Sequence, residues 1–287
     1  LRMMIGPSRK NPSDVKFIEK QCCLNAVEKK VTIGFLGDIM GLTSRTLQID
    51  PELKNFISGC DAIVGNFETT ISRQNLAGLK WKHFSWKQDE SIIDALKQLT
   101  DPGRLYLSIA NNHSGDFAEN GCRASAGLLV HEGIHLFGFK ETPYMDISPH
   151  IRIWTGTMWS NMNCDHVAQF ADLEAAGLSR NTAAPPGAET DGRLFHICFP
   201  HWGYEMELYP RPSIVNLGRS LLARYDMVIG HHPHVPQPVT VQKVNAVNKL
   251  LAYSLGDFSF GSNIDQFLYG VVITVDIGPN SEGRWLA

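Results

Sequence analysis

The stretch VTIGFLGD, residues 31–38, decides the reading of the fold. It is short, continuous and apolar, as a buried strand is, and it stops at a carboxylate, Asp38. The same form recurs down the chain. DAIVGNFE (61–68) ends at Asn66 and Glu68, and LYLSIANNH (105–113) ends at Asn111, Asn112 and His113. LFHICFPHWG (194–203) runs into His201, and DMVIG (226–230) delivers His231, His232 and His234. KLLAYSLGDF (249–258) and QFLYGVVITVDI (266–277) complete the predicted strands.

Helical periodicity fills the intervals. SIIDALKQL (91–99) carries apolar residues at helical spacing, and GCRASAGLLVHEGI (121–134) reads as a helix stopped by its HEG. In PSIVNLGRSLLARY (212–225), Ile214, Leu217, Leu221 and Tyr225 share one face behind Pro212. Strands alternating with amphipathic helices predict an α/β fold. Residues 141–193 carry little periodicity, and NTAAPPGAET (181–190) is a loop by composition. No internal repeat or low-complexity tract is present.

Composition narrows the function classes. The 287 residues are 43% hydrophobic and 19% charged, enough for a sizeable core. A net charge of −3 and the lack of a basic block argue against nucleic acid as a partner. No apolar run reaches the ~18–20 residues that span a bilayer, and residues 1–30 lack the apolar centre of a signal peptide. The six cysteines form no CxxC pair, which points to a reduced, cytoplasmic protein as the chain stands. The sequence begins with Leu, so an extracellular, membrane-associated placement is the alternative if a longer precursor carries an anchor.

Position organises the candidate site. Asp38, Asn66 with Glu68, Asn112 with His113, His201 and the 231–234 histidines all fall just after predicted strands. In open α/β sheets the loops at the carboxyl ends of strands form the ligand crevice. Singly, each group has a bland reading, such as a helix cap, a turn asparagine or a packed histidine. Five groups arriving by one local geometry outweigh those readings. Imidazole and carboxylate suit divalent zinc, manganese or iron, and two-metal hydrolases set such ions ~3.5–4 Å apart. The candidate metal ligands are Asp38, Glu68, Asn112, His201, His232 and His234. Pro233 fixes its own φ and is expected to bias His232 toward extended backbone, stiffening the H-P-H turn.

GDIM (37–40), GNFE (65–68), ANNHSGD (110–116), HWGYE (201–205), GHHPHVPQP (230–238) and YSLGDFSF (253–260) together resemble a known motif set. It is that of bacterial capsule-synthesis proteins of the CapA type, also called poly-gamma-glutamate biosynthesis proteins, and the likeness spans about residues 31–260. That family is regarded as a branch of the calcineurin-like metallophosphoesterases. The resemblance implies a β-sandwich flanked by helices, a four-layer α/β/β/α fold around a two-metal centre. It also implies one such domain over residues 31–287, behind an N-terminal extension of residues 1–30.

Carried over residue by residue, Asp38 resembles the first-metal aspartate, and Glu68, or less favourably Asn66, the bridging carboxylate. Asn112, His201 and His232 resemble second-metal ligands, and His234 a first-metal ligand. His113 resembles the histidine that protonates the leaving group, so His113 and Asp38 are the expected catalytic residues. The chain departs from the phosphoesterase D-x-H motif at Met40, a poor ligand, which removes an imidazole from the first position. His231 and Glu205 are the candidate replacements, and a mononuclear site is the alternative.

The resulting expectation is a metal-dependent hydrolase acting at a phosphoester or related acyl centre, linked to capsule or polyglutamate biosynthesis. The rival is a non-catalytic part of anionic exopolymer assembly that binds polymer through a degenerate metal site. In either case the partner is an anionic small molecule or a polyglutamate-like polymer. AGLKWKHFSWK (77–87), with Lys80, Lys82, His83 and Lys87, and Arg211 are the candidate anion contacts.

Overall fold

In the computed structural model, β1 (Val31–Met40) runs two residues beyond the opening stretch and is buried along almost its whole length. Burial on both faces explains why it reads as continuous apolar sequence rather than an alternating one. The structure describes residues 11, 15–18, 20–42, 45–73, 85–179, 194–261 and 265–287.

In chain order, β1 is followed by α1 (Pro51–Ile57), β2 (Ala62–Glu68), the short pair β3 (Thr70–Ile71) and β4 (Lys87–Gln88), and α2 (Ser91–Leu99). Next come β5 (Leu105–Ser108), α3 (Ala118–His131), β6 (His135–Phe137), β7 (Tyr144–Ser148), β8 (Ile151–Thr157) and α4 (Phe170–Ser179). The chain continues with β9 (Phe195–His201), α5 (Pro212–Leu222), β10 (Met227–Ile229), β11 (Val239–Val244) and β12 (Val247–Ala252). β13 (Asp257–Ser259), β14 (Ile273–Pro279) and β15 (Trp285–Leu286) close it.

Two sheets result. One has the order β15-β14-β1-β2-β5-β6, with β13 also paired to β1; the other has the order β11-β12-β10-β9-β8-β7. The central core lies between them, where Ile33, Phe35 and Val64 of the first sheet meet Ile153, Ile197, Phe199 and Ile229 of the second. The outer face of the first sheet packs on α2 and α3 through Ile92, Leu96, Leu99 and Leu129. The outer face of the second packs on α4 and α5 through Leu173, Ile214, Val215 and Leu221. These are the four α/β/β/α layers, and each apolar face is buried against another element.

Parallel pairing fixes where the chemistry goes. β1, β2, β5 and β6 are successively parallel, as are β8, β9 and β10. Their carboxyl ends therefore meet along one edge, and that edge receives the polar residues noted in the sequence.

Several expectations need correction. The strand expected over 105–113 stops at Ser108. Ser114 and Asn111 supply local partners there: Asn111 Oδ1 accepts from the His113 amide, and the Ser114 hydroxyl donates to the Ile109 carbonyl. Such side chains compete with the sheet ladder. KLLAYSLGDF divides into β12 and β13, because Gly256 turns the chain at φ +71°. The expected strand over 266–277 begins only at Ile273, after a 3-10 turn at Asp265–Leu268. The unreadable 141–193 stretch contains β7, β8 and α4, while its expected loop at 181–190 lies outside the described residues. Ile18 and Asn25 are tied to the domain, the Ile18 amide donating to Val239 O and Asn25 Nδ2 to Asn248 O and Ala287 O. All six cysteines are free thiols, and among the described residues no helix is long and apolar enough to cross a membrane.

Phe137 is fully buried between the sheets, its ring centroid 6.3 Å from that of Phe199. Phe137→Ala is expected to cost roughly 3–5 kcal/mol of unfolding free energy. Urea denaturation checks this; a loss below about 1 kcal/mol would contradict its place in the core.

Candidate metal centre

Asp38 and Glu68 reach the site because β1 and β2 pair with Asp38 opposite Asn66 and Met40 opposite Glu68. Both carboxylates are fully buried. The Asn66 side-chain amide donates to Asp38 Oδ1 at 2.7 Å and Glu68 Oε2 at 3.3 Å, and lies 3.2 Å from His201 Nδ1. With its N–H group aimed at two carboxylates, Asn66 orients them. Glu68 Oε1 faces His201 Nε2 at 3.5 Å and His234 Nε2 at 3.6 Å, between imidazoles delivered by β9 and by the turn after β10.

The GHHPH turn is held from several sides. The His231 amide donates to Pro200 O, the Trp202 amide to His231 O, and the His232 amide to Asp38 Oδ2 at 3.0 Å. Gly230 is required by close approach, since a Cβ there would fall 2.2 Å from Trp202 Nε1 and 2.3 Å from Tyr253 O. His232 and His234 take φ values of +96° and +57°. The extended backbone expected for His232 is therefore absent. Side chains at positive φ cost of order 1–3 kcal/mol each and persist only where the surroundings over-determine them.

His201 Nε2 lies 2.8 Å from Asn112 Oδ1, and the His201 and His232 rings sit 4.6 Å apart. His231, a candidate replacement for the imidazole missing at Met40, packs its ring on Phe199 at 4.0 Å and places Nδ1 3.3 Å from Asp38 Oδ1. His113 lies on the turn after β5, with Nδ1 2.8 Å from Asp116 Oδ2 and Nε2 3.4 Å from Asn161 Nδ2. Asp116 also accepts from the Trp86 amide at 2.7 Å, tying His113 to the rim.

Burial sets the electrostatics. It pushes Glu68 well above the usual carboxylate range, and Asp257 up to about 7. Burial would also raise Asp38, but hydrogen bonding and charge from His231, then His234 and Asn66, hold it below its ordinary value. Burial and then neighbouring histidines push His201 and His232 well down. For His234 burial also acts downward, yet the Glu68 and Asp257 carboxylates overcome it and hold the ring well above its usual value. The neutral His201 and His232 rings beside carboxylates form a donor set suited to a divalent cation.

Three groups bring one ligand atom from each residue within 4.8 Å of the others: Glu68–His201–His232, Glu205–His232–His234 and Asp38–His234–Asp257. Glu68 Oε1, His232 Nδ1 and Asp257 Oδ2 are buried with no hydrogen-bond partner. Each such orphan costs about 1–3 kcal/mol, more when charged, and Glu68 and His232 fall in one of these ligand groups while Asp257 falls in another. The residues present thus fit a divalent metal.

Sequence reasoning missed Asp257, Asp116, Trp159 and Asn161. Asp257 had a legible signal, because LGD occurs at both 36–38 and 255–257. The two copies lie side by side: Asp38 registers with Asp257, and the Asp38 amide donates to Gly256 O at 2.9 Å. Trp159 and Asn161 lie in the stretch without periodicity. Trp159 packs near His232 at 6.2 Å and donates to Gly203 O at 2.7 Å. Of the anion contacts, Lys80, Lys82 and His83 lie outside the described residues. Arg211 is engaged by Glu207 through three contacts of 2.8–3.1 Å and stacks over Tyr204 at 3.3 Å. That pairing argues against its use as an anion contact.

The four-layer architecture is that of a metallophosphoesterase-like α/β protein. Residues 32–262 match the family described as "Bacterial capsule synthesis protein PGA_cap", and the chain belongs to that family. It is 23% identical over 289 residues to PGA biosynthesis protein CapA of Bacillus subtilis (strain 168), covering 89% of this chain and 70% of that protein. It is 24% identical over 266 residues to Capsule biosynthesis protein CapA of Bacillus anthracis, covering 81% of this chain and 60% of that protein. Among solved structures, a hypothetical protein from Thermus thermophilus overlaps 89% of this chain and 96% of its own, at a TM-score of 0.47 and 13% identity.

A Cβ on Gly37 would fall 2.1 Å from the Gly256 carbonyl oxygen, so the two LGD segments approach this closely only with glycine at 37. Gly37→Ala is expected to destabilise the fold by at least roughly 1–3 kcal/mol. The denaturant midpoint reads it, and an unchanged midpoint would contradict this close approach.

Proposed function

We propose that this chain is a metal-dependent hydrolase of capsule-polymer biosynthesis, acting at a phosphoester or related acyl centre. Asp38 and His234 would hold one divalent ion; Asn112, His201 and His232 would hold a second, with Glu68 between them. Manganese, iron and zinc suit these donors. One observation carries the reading. Glu68 Oε1 is buried, unpartnered and within 3.6 Å of imidazoles from two different segments.

A bound divalent ion supplies Lewis acidity and lowers the pKa of coordinated water. The remaining chemistry belongs to the protein. Asp116 accepts the Nδ1 proton of His113, which leaves Nε2 to hold and release a proton toward the leaving-group oxygen. The Asn161 side-chain amide lies 3.4 Å from that nitrogen, placed to donate to it once the proton has left. Trp86 and Phe260 pack edge to face at 4.9 Å, and Phe267 lies 5.9 Å from His234, forming an aromatic wall that limits water.

His232→Ala and Asn112→Ala are expected to abolish hydrolysis of a generic phosphodiester with added Mn²⁺ and to lower bound metal in elemental analysis. A variant retaining full metal and turnover would sink the assignment. His113→Ala is expected to lower kcat roughly 10²–10⁴-fold while metal content stays at the wild-type level. Loss of metal together with rate would place His113 among the ligands instead.

The relatives' names, PGA biosynthesis protein and capsule biosynthesis protein, favour a second reading in which the centre binds an anionic polyglutamate-like polymer without turnover. Stoichiometric, metal-dependent polymer binding with no hydrolysis of any phosphoester would favour it over the enzyme.

A further inference from the structure

Resting on the two-ion reading above, we infer that Asp257 is a ligand of the first ion, taking the place left without an imidazole at Met40. The two positions consequently differ in chemical hardness.

Met40 is buried and offers a thioether, a soft donor that suits neither manganese nor magnesium. The carboxylate arrives from the neighbouring strand instead. β13 runs parallel to β1 with Asp257 opposite Asp38, and this register places Asp257 Oδ1 2.9 Å from His234 Nδ1. Ligand atoms of Asp38, His234 and Asp257 gather within 4.8 Å. Asp257 is 5% exposed, and its Oδ2 has no hydrogen-bond partner. An Asp257 that served only to orient His234 would need Oδ1 alone, and its second oxygen would carry the cost of burial unrelieved.

With Asp257 included, the first position has Asp38 and Asp257 on the Nδ1 side of one imidazole, His234, whose Nε2 faces the shared Glu68. The second has Asn112 and two imidazoles, His201 and His232, with Glu68 shared. Oxygen-rich sets suit manganese or magnesium, and imidazole-rich sets suit zinc or iron. The first position is therefore the manganese-preferring one and the second the zinc-preferring one. His231 and Glu205 are not needed to replace the missing imidazole.

The test is metal stoichiometry on the chelator-stripped protein, by elemental analysis and Mn²⁺ EPR titration, with no activity readout. The wild type is expected to take two ions, and Asp257→Ala one, the retained site preferring Zn²⁺. A folded Asp257→Ala chain that still takes two Mn²⁺ at saturation overturns the inference, since an outer carboxylate weakens affinity ~10–100-fold without removing the site. That outcome leaves the two-ion reading standing. A wild type that binds no metal overturns both. Should the alanine variant fail to fold, Asp257→His decides: it is expected to take two ions and raise the Zn²⁺ preference at least about tenfold. An unchanged preference overturns the inference.

Discussion

The buried Glu68 carboxylate is the constraint around which the rest of the site is arranged. It ends β2 with no access to water, its Oε2 held by the Asn66 amide and its Oε1 left without a partner. An ionised carboxylate in such a place is tolerable only with compensating charge. Imidazoles from β9 and from the turn after β10 approach the free oxygen from the second sheet. The two sheets thus do more than share a core: they bring opposite halves of one polar cluster to a common edge.

That cluster is kept in place by backbone that would be unfavourable elsewhere. Positive φ at both His232 and His234 is sustained because Asp38 accepts from the His232 amide and because Pro200 and Trp202, at the end of β9, hold the His231 backbone. Gly37, with no Cβ to meet the Gly256 carbonyl, permits Asp38 and Asp257 to stand side by side. Strain, close glycine contacts and unsatisfied lone pairs coincide in one small region, as they do where a site is built at the expense of stability.

Much of this was legible in the residues. Continuous apolar runs marked the strands because parallel sheets covered on both faces select such runs. Their polar ends marked the site because a parallel arrangement sends all carboxyl ends to the same edge. The helices at 91–99 and 212–222 were legible from their apolar spacing. What stayed hidden depended on partners distant in sequence. Asp116 could be recognised only beside His113 and the Trp86 amide, and Trp159 and Asn161 sit in irregular chain with no period to betray them.

The sequence by itself determined the class of fold, the family and the polar groups that stand at strand ends. These follow from local pattern, and local pattern is written in consecutive residues. Tertiary structure alone decided how the groups are shared out. It made Asn66 an orienting amide, paired Arg211 with Glu207, set His231 against Phe199, and laid Asp257 beside Asp38. The reason is physical: a strand's register with a neighbour about 220 positions away fixes which oxygen faces which nitrogen, and no periodicity within either strand encodes that choice.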